Sequence, residues 1–367
     1  MKVFRALATS VIVSILSCLP ALAQVPGSSN QADMQMTAAS RQQLIDNLIK
    51  EVDNRYVFPD TAKKLAASLR EQQKRGVYDG ITSAQQLSEV LTQEMQATGG
   101  DRHLRVMYSQ EAIPARTPNT EPSPDEAARH LAMMRSDNFG VAKIEHLPFN
   151  IGYLELLGFA PAEDAADTLA AAMTVLAHTD ALILDLRNNG GGDVAASALM
   201  ASYLLDKRTH LNDFYYREGN RVEQRWSLDV VPGLHYGQKK DVYILTSKDT
   251  FSAAEDFTYA LKNLKRATVV GETTDGGANS GEDIRLLPNF AAFMPLSRVI
   301  SPITKSNWER VGVTPDVSVC AEDAMRTAQV AILKKWAASE TSRSRLDHLK
   351  NRIAELGTGN TAGARCP

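Results

Sequence analysis

Three residues in this chain are of the types that together break acyl bonds: Ser252, His103 and Glu309. A serine hydroxyl attacks a carbonyl only when a base removes its proton, and the base works best when a carboxylate orients it. Ser252 sits in Thr250-Phe251-Ser252-Ala253-Ala254-Glu255-Asp256-Phe257, between an apolar run ending at Leu245 and a helical stretch. At a helix start the N–H of Ala253 has no intrahelical acceptor, and the macrodipole places positive potential beside the hydroxyl. The same segment also reads as a capping box, with Glu255 three residues after Ser252. His103 occurs in Asp101-Arg102-His103-Leu104 and is one of seven histidines, so its type alone does not single it out. Glu309 lies in Trp308-Glu309-Arg310-Val311-Gly312-Val313-Thr314-Pro315-Asp316 and is equally anonymous by itself.

A fourth feature is Asp185-Leu186-Arg187-Asn188-Asn189-Gly190-Gly191-Gly192, directly after an apolar run and directly before a helical one. Consecutive glycines let a chain turn sharply and present N–H groups with no side chain in the way. Such donors suit an oxyanion hole, where negative charge develops on a carbonyl oxygen. Gly190, Gly191 and Ala253 are the candidate donors. A phosphate loop would need G-x-G-x-x-G or a following Lys-Ser/Thr, and neither is present.

The ordered set D-x-H, D-L-R-x-N-x-G-G, T-x-S-A-A-E-x-F, G-E-T-T at Gly271 to Thr274 and G-V-x-P-D resembles the C-terminal-processing (tail-specific) serine protease family. Within it the chain is most similar to the branch of interphotoreceptor retinoid-binding protein and its bacterial relatives, as is the helical segment around Tyr56-Val57-Phe58-Pro59. The resemblance spans most of residues 41 to 320. It implies a crotonase-like α/β core, peptide-bond cleavage through an acyl-enzyme on Ser252, His103 as general base and Glu309 as its carboxylate. It also implies extracytoplasmic residence. Two departures matter. The Ser/Lys branch carries a Lys in the turn after G-E-x-T, where this chain has Asp275-Gly276-Gly277, and the tricorn-like branch has Ser before the His, where this chain has Arg102. The first favours a histidine base, and the second makes Asp101 a supporting candidate beside Glu309. The stretch from Ser109 to Lys143 is too short for a substrate-tethering PDZ domain. The rival expectation is a non-catalytic binder of retinoid-like or other hydrophobic ligands.

These residues need a scaffold, and the periodicities supply one. Ile45, Leu48 and Ile49, then Ala62, Leu65, Ala66 and Leu69, then Leu87, Val90 and Leu91 recur at helical spacing. From Ile151 onward apolar runs alternate with helical stretches, which predicts an α/β layered core. The expected organisation is a signal peptide (1–23), a flexible lead-in (24–40) and an N-terminal helical domain (41–108). A linker and helix (109–143), an α/β catalytic core (144–340) and a C-terminal helix and tail (341–367) follow. Lys2, Arg5, an apolar run from Ala6 to Leu16 and Ala21-Leu22-Ala23 give the leader its pattern. Its removal implies a periplasmic or secreted protein with no stable membrane span, and Leu16-Ser17-Cys18 matches a lipid-attachment box only weakly. Cys320 and Cys366 then remain, as a disulfide or as two thiols. Forty basic and 43 acidic residues, for a net charge of −3, with no basic run, give nothing to recommend a nucleic-acid partner; the resemblance implies a peptide or protein substrate. No metal or organic cofactor is implied, because neither Cys has ligand spacing.

Overall fold

The computed structural model describes residues 32–115 and 123–357. The leader, Cys18 and Cys366 therefore lie outside the described residues. Three helices come first: α1 (Ala38–Arg55), α2 (Pro59–Lys74) and α3 (Ala84–Gly99). Then follow β1 (Arg105–Tyr108), α4 (Pro124–Ser136), β2 (Val141–Leu147), β3 (Ile151–Leu156) and α5 (Ala162–Leu176). The chain continues through β4 (Ala181–Asp185), α6 (Val194–Ser202), β5 (His210–Tyr216), β6 (Arg221–Trp226) and β7 (Asp241–Thr246). After these come α7 (Ala253–Asn263), β8 (Thr268–Gly271), β9 (Asn279–Leu287) and β10 (Phe290–Ile300). β11 (Val317–Ser318), α8 (Ala321–Ser339) and α9 (Arg343–Gly357) complete it.

The six-stranded sheet runs β11-β8-β7-β4-β3-β2, parallel throughout except for the β2·β3 pair. Side chains alternate across a strand, and β4 shows the consequence. Leu182 and Leu184 join the cluster containing Met173, Leu199 and Phe257 of α5, α6 and α7. Ala181 and Ile183 join the opposite one, with Ala328 and Ile332 of α8 and Leu349 of α9. The result is the expected α/β layered core. No helix among the described residues is long and apolar enough to cross a membrane.

A second, antiparallel sheet runs β1-β10-β5-β6, with β9 also on β10. Its strands were not anticipated from the pattern of apolar residues. The N-terminal helices do not close a core by themselves: Leu44, Leu65 and Leu87 pack with Ile284, Leu286, Phe290 and Met294 of β9 and β10. Two expected boundaries need correction. The lead-in to residue 40 ends earlier, because Thr37 and Ser40 form a capping box that starts α1 at Ala38, and Met36 is buried. The α/β core expected from residue 144, with its first strand at Ile151, begins instead with the strand at Val141, whose side chain enters the cluster on α5.

Candidate active site

β4 and β7 are parallel neighbours, with Asp185 opposite Leu245, so the turns that leave them emerge side by side. The first is the glycine run and the second holds Ser252. They are laced together: the Phe251 N–H donates to Asn189 O at 3.0 Å, and Thr250 Oγ1 donates to Leu186 O at 2.8 Å. Ser252 precedes α7 with φ 55° and ψ −119°. An N-cap residue ordinarily has an extended backbone, and a non-glycine residue held in such a region costs on the order of 1–3 kcal/mol. The strain therefore distinguishes Ser252 from a simple cap.

The structure corrects one candidate donor. Asn189 is fully buried; its Nδ2 donates to Leu156 O at 3.0 Å, and its Oδ1 accepts the Gly191 N–H at 2.9 Å. The Gly191 amide is thus already bonded and faces away from an oxyanion. Gly191 instead allows close approach: at φ 101°, a β-carbon on it would stand 2.7 Å from Ser252 Cβ. Among the described residues the N–H groups of Gly190 and Ala253 have no acceptor. Both line a cavity of about 240 Å³ shared with Ser252 and His103 and walled by Phe214, Phe293, Val299 and Trp308.

His103 follows α3, whose C-cap Gly100 takes the left-handed conformation (φ 67°) that turns the chain toward the site. Its Nε2 lies 3.1 Å from Ser252 Oγ, and its ring packs between those of Phe251 and Phe293 at 4.5 and 5.6 Å. Asp101 is fully buried and accepts from Tyr56 Oη at 3.1 Å, Asn279 Nδ2 at 2.9 Å and the His103 N–H at 2.9 Å. Its Oδ1 is 3.7 Å from His103 Nδ1. Glu309 Oε2 accepts the Ala278 N–H at 2.7 Å. Among the described residues His103 Nδ1 and Glu309 Oε1 are buried without a hydrogen-bond partner. Asp101, His103 and Glu309 each bring one ligand atom within 4.8 Å of the others, a spacing among the described residues that could hold a metal ion. The bonds from Tyr56, Asn279 and Ala278 already orient both carboxylates, a function that needs no ion.

Burial, then the Asp101 charge, pushes the Glu309 carboxyl well above the usual range. Burial likewise raises Glu255 to about 7, opposed by its hydrogen bonds. Lys262, on the helix that Ser252 begins, is engaged elsewhere: its Nζ donates to Thr314 O and pairs with Asp316 at 2.8 Å. Arg102 pairs with Asp275 at 3.0 Å. Cys320 is disulfide-bonded, its expected partner Cys366 being outside the described residues. Sequence reasoning had Asn189 and Tyr56 inside the motifs it quoted but gave them no role, and it missed Asn279, for which no local pattern speaks.

Residues 150–319 match the profile of peptidase family S41, and residues 33–139 match that of the N-terminal domain of peptidase S41 in eukaryotic IRBP. The chain belongs to peptidase family S41. Carboxyl-terminal-processing peptidase 2, chloroplastic, of Arabidopsis thaliana is 29% identical over 168 residues, covering 45% of this chain and 31% of that protein. A lipoprotein of Streptococcus agalactiae shares the S41 chain's fold with a TM-score of 0.55 at 14% identity, over 82% of this chain and 99% of that one. The tricorn protease gives a TM-score of 0.51 at 14% identity, over 87% and 37%. The chain spans about a third of the length, 31 to 36%, of this peptidase and two further chloroplastic C-terminal-processing peptidases that it matches.

Proposed function

We propose that this S41 chain is a serine peptidase that cleaves peptide bonds through an acyl-enzyme on Ser252. One observation carries the reading: a strained Ser252 whose Oγ is 3.1 Å from His103 Nε2. Strain of this kind persists only where the surroundings over-determine it, and it clusters at functional sites. In the mechanism, His103 Nε2 takes the hydroxyl proton as Oγ attacks the carbonyl carbon. The Gly190 and Ala253 N–H groups receive the developing oxyanion. The protonated imidazole then gives its proton to the departing amine, and water, deprotonated by the same nitrogen, releases the acyl group. Asp101 Oδ1 lies on the Nδ1 side at 3.7 Å, and Glu309 brings a carboxyl oxygen within 4.8 Å of a ring nitrogen; a negative or hydrogen-bonding group there favours the charged imidazole. A pure binder of hydrophobic ligands would have no use for a strained serine against a histidine.

The substrate is a peptide or protein, and the protein acts in a periplasmic or secreted setting. The leader pattern of residues 1–23 and a Cys320–Cys366 bridge are both consistent with that compartment. Labelling with a fluorophosphonate probe, followed by peptide mapping, tests the assignment. The adduct is expected on Ser252, and Ser252→Ala is expected to abolish hydrolysis of denatured casein. Its thermal stability should stay near wild type, since losing a cap costs only about 1 kcal/mol. A Ser252→Ala protein with full activity would reject the nucleophile.

A further inference from the structure

Glu255 reads from the sequence as one half of a helix cap, yet its surroundings exceed that task. Its side chain is fully buried. Oε2 accepts the N–H groups of Ser252 and Gly277, each at 2.9 Å, and Oε1 accepts the Gly276 N–H at 2.7 Å and Thr274 Oγ1–H at 2.5 Å. A capping box asks for the first of these alone. Four donors fill the roughly four lone-pair sites that a carboxylate offers.

Each donor belongs to a segment that shapes the site. Thr274 Oγ1 also receives the Val313 N–H at 2.7 Å, and Gly276 O receives the Arg310 N–H at 2.8 Å. Gly277 O accepts Trp308 Nε1 at 2.9 Å. The 274–277 turn is thereby fixed to the segment carrying Glu309. Gly277 lies directly under the base, since a β-carbon there would stand 2.7 Å from His103 Cε1 and closer still to the Phe251 ring. At the other end, the Glu255 carboxylate holds the N–H of the strained Ser252.

We propose that Glu255 is the positioning residue of this site, clamping Ser252 and the 274–277 turn together so that the hydroxyl and His103 Nε2 meet at hydrogen-bond distance. The proposal rests on the peptidase reading of that pair. A structural cap alone would not call for a carboxylate here, because burial works against its charge strongly enough to raise it to about 7 despite four donors. What the charge adds is the ability to accept on both oxygens at once.

Glu255→Gln keeps the shape but turns an NH2 group toward two donors: facing the Ser252 and Gly277 amides it loses both bonds, and facing Thr274 and Gly276 it loses the Gly276 bond, the Thr274 hydroxyl being able to turn and accept. With denatured casein as substrate, kcat is expected to fall about 10²-fold, the scale of one misplaced catalytic contact, while KM stays within about threefold. The rate of fluorophosphonate labelling at Ser252, per folded molecule, should fall in parallel. Thr274→Val removes one donor and should lower kcat by about tenfold, the effect of roughly 1.4 kcal/mol, whereas Thr274→Ser, which keeps the hydroxyl, should restore it. This pair decides the matter if the glutamine variant does not fold. Unchanged kcat and labelling in folded Glu255→Gln overturns the proposal, as does equal activity of the two Thr274 variants. Wild-type protein that takes no label at Ser252 sinks the peptidase reading and this proposal together; a labelled wild type with an equally labelled glutamine variant sinks only the latter.

Discussion

The nucleophile half and the base half of the site are built by different means. Ser252, Gly190 and Ala253 sit on turns leaving adjacent parallel strands, and backbone conformation does the positioning: φ 55° at Ser252 and φ 101° at Gly191. Asp101, His103 and Glu309 sit on loops beside the second sheet, and buried side-chain hydrogen bonds hold them. The first half has almost no room for an added atom. The second half is sensitive to change of charge, because two of its members are carboxyls taken out of water beside one another. Glu255 joins the two, with one oxygen on the Ser252 amide and both on the turn under the imidazole.

Substitutions sharpen this contrast. The largest effect after loss of the nucleophile is expected for His103→Ala, since a positioned general base contributes roughly 10²–10⁴-fold. Turnover of denatured casein should fall by that factor, while Lys262→Ala, whose Nζ is engaged by Thr314 and Asp316, should be nearly silent. Near-normal turnover in His103→Ala would place the base elsewhere and dissolve the second half as described. Next comes Gly191→Val. Its amide is bonded to Asn189, so the expected loss comes from displacement of Ser252 by a β-carbon 2.7 Å from its own, on a backbone that disfavours side chains. A fall in kcat of about 10² or more is expected, equal to removing an oxyanion donor. A variant that only melts lower and keeps its kcat would make the glycine run a structural turn.

The two halves also differed in how legible they were. The nucleophile half is written in consecutive residues, because a strand, a tight turn and a helix follow one another along the chain. The run from Asp185 to Gly192 and the segment around Ser252 therefore announce a donor turn and a helix start without help. The base half must meet a nucleophile 149 positions further along the chain, and no periodicity links His103 to Ser252. Only the family resemblance brought His103 and Glu309 forward. The Gly191 donor was misjudged because the orientation of the Asn189 side chain is a tertiary fact. The second sheet escaped for a different reason: β9 buries only Asn279, Ile284 and Leu286, and β10 carries Pro295 at an irregular register, so neither shows clean alternation. The fold class was readable because β4 is apolar on both faces, as a central parallel strand must be.

The smallest expected effect separates the halves most cleanly, because it depends on proton binding. Glu309→Gln should reduce turnover less than His103→Ala, since the base remains and Asp101 Oδ1 still lies 3.7 Å from Nδ1. Its stability should carry a pH signature. Burial and the neighbouring Asp101 hold the Glu309 carboxyl above its ordinary value in the folded state. The folded protein therefore keeps a proton that the unfolded chain gives up. Stability from this group is complete below the ordinary glutamate value and declines as pH rises through the raised one. Glu255 acts in the same sense up to about 7, and because its charge is among those that raise Glu309, removing the Glu309 carboxyl relieves it too and adds to the difference with the same sign. The Tm of Glu309→Gln minus that of wild type, followed by thermal melts from about pH 5 to 9, should therefore rise with pH across the interval between the two carboxyl values. The same difference for Gly191→Val should be flat, because a steric clash binds no proton. A flat difference for Glu309→Gln would mean that the carboxyl is ionised throughout and that its surroundings do not oppose its charge. The base half would then be held by shape, as the nucleophile half is.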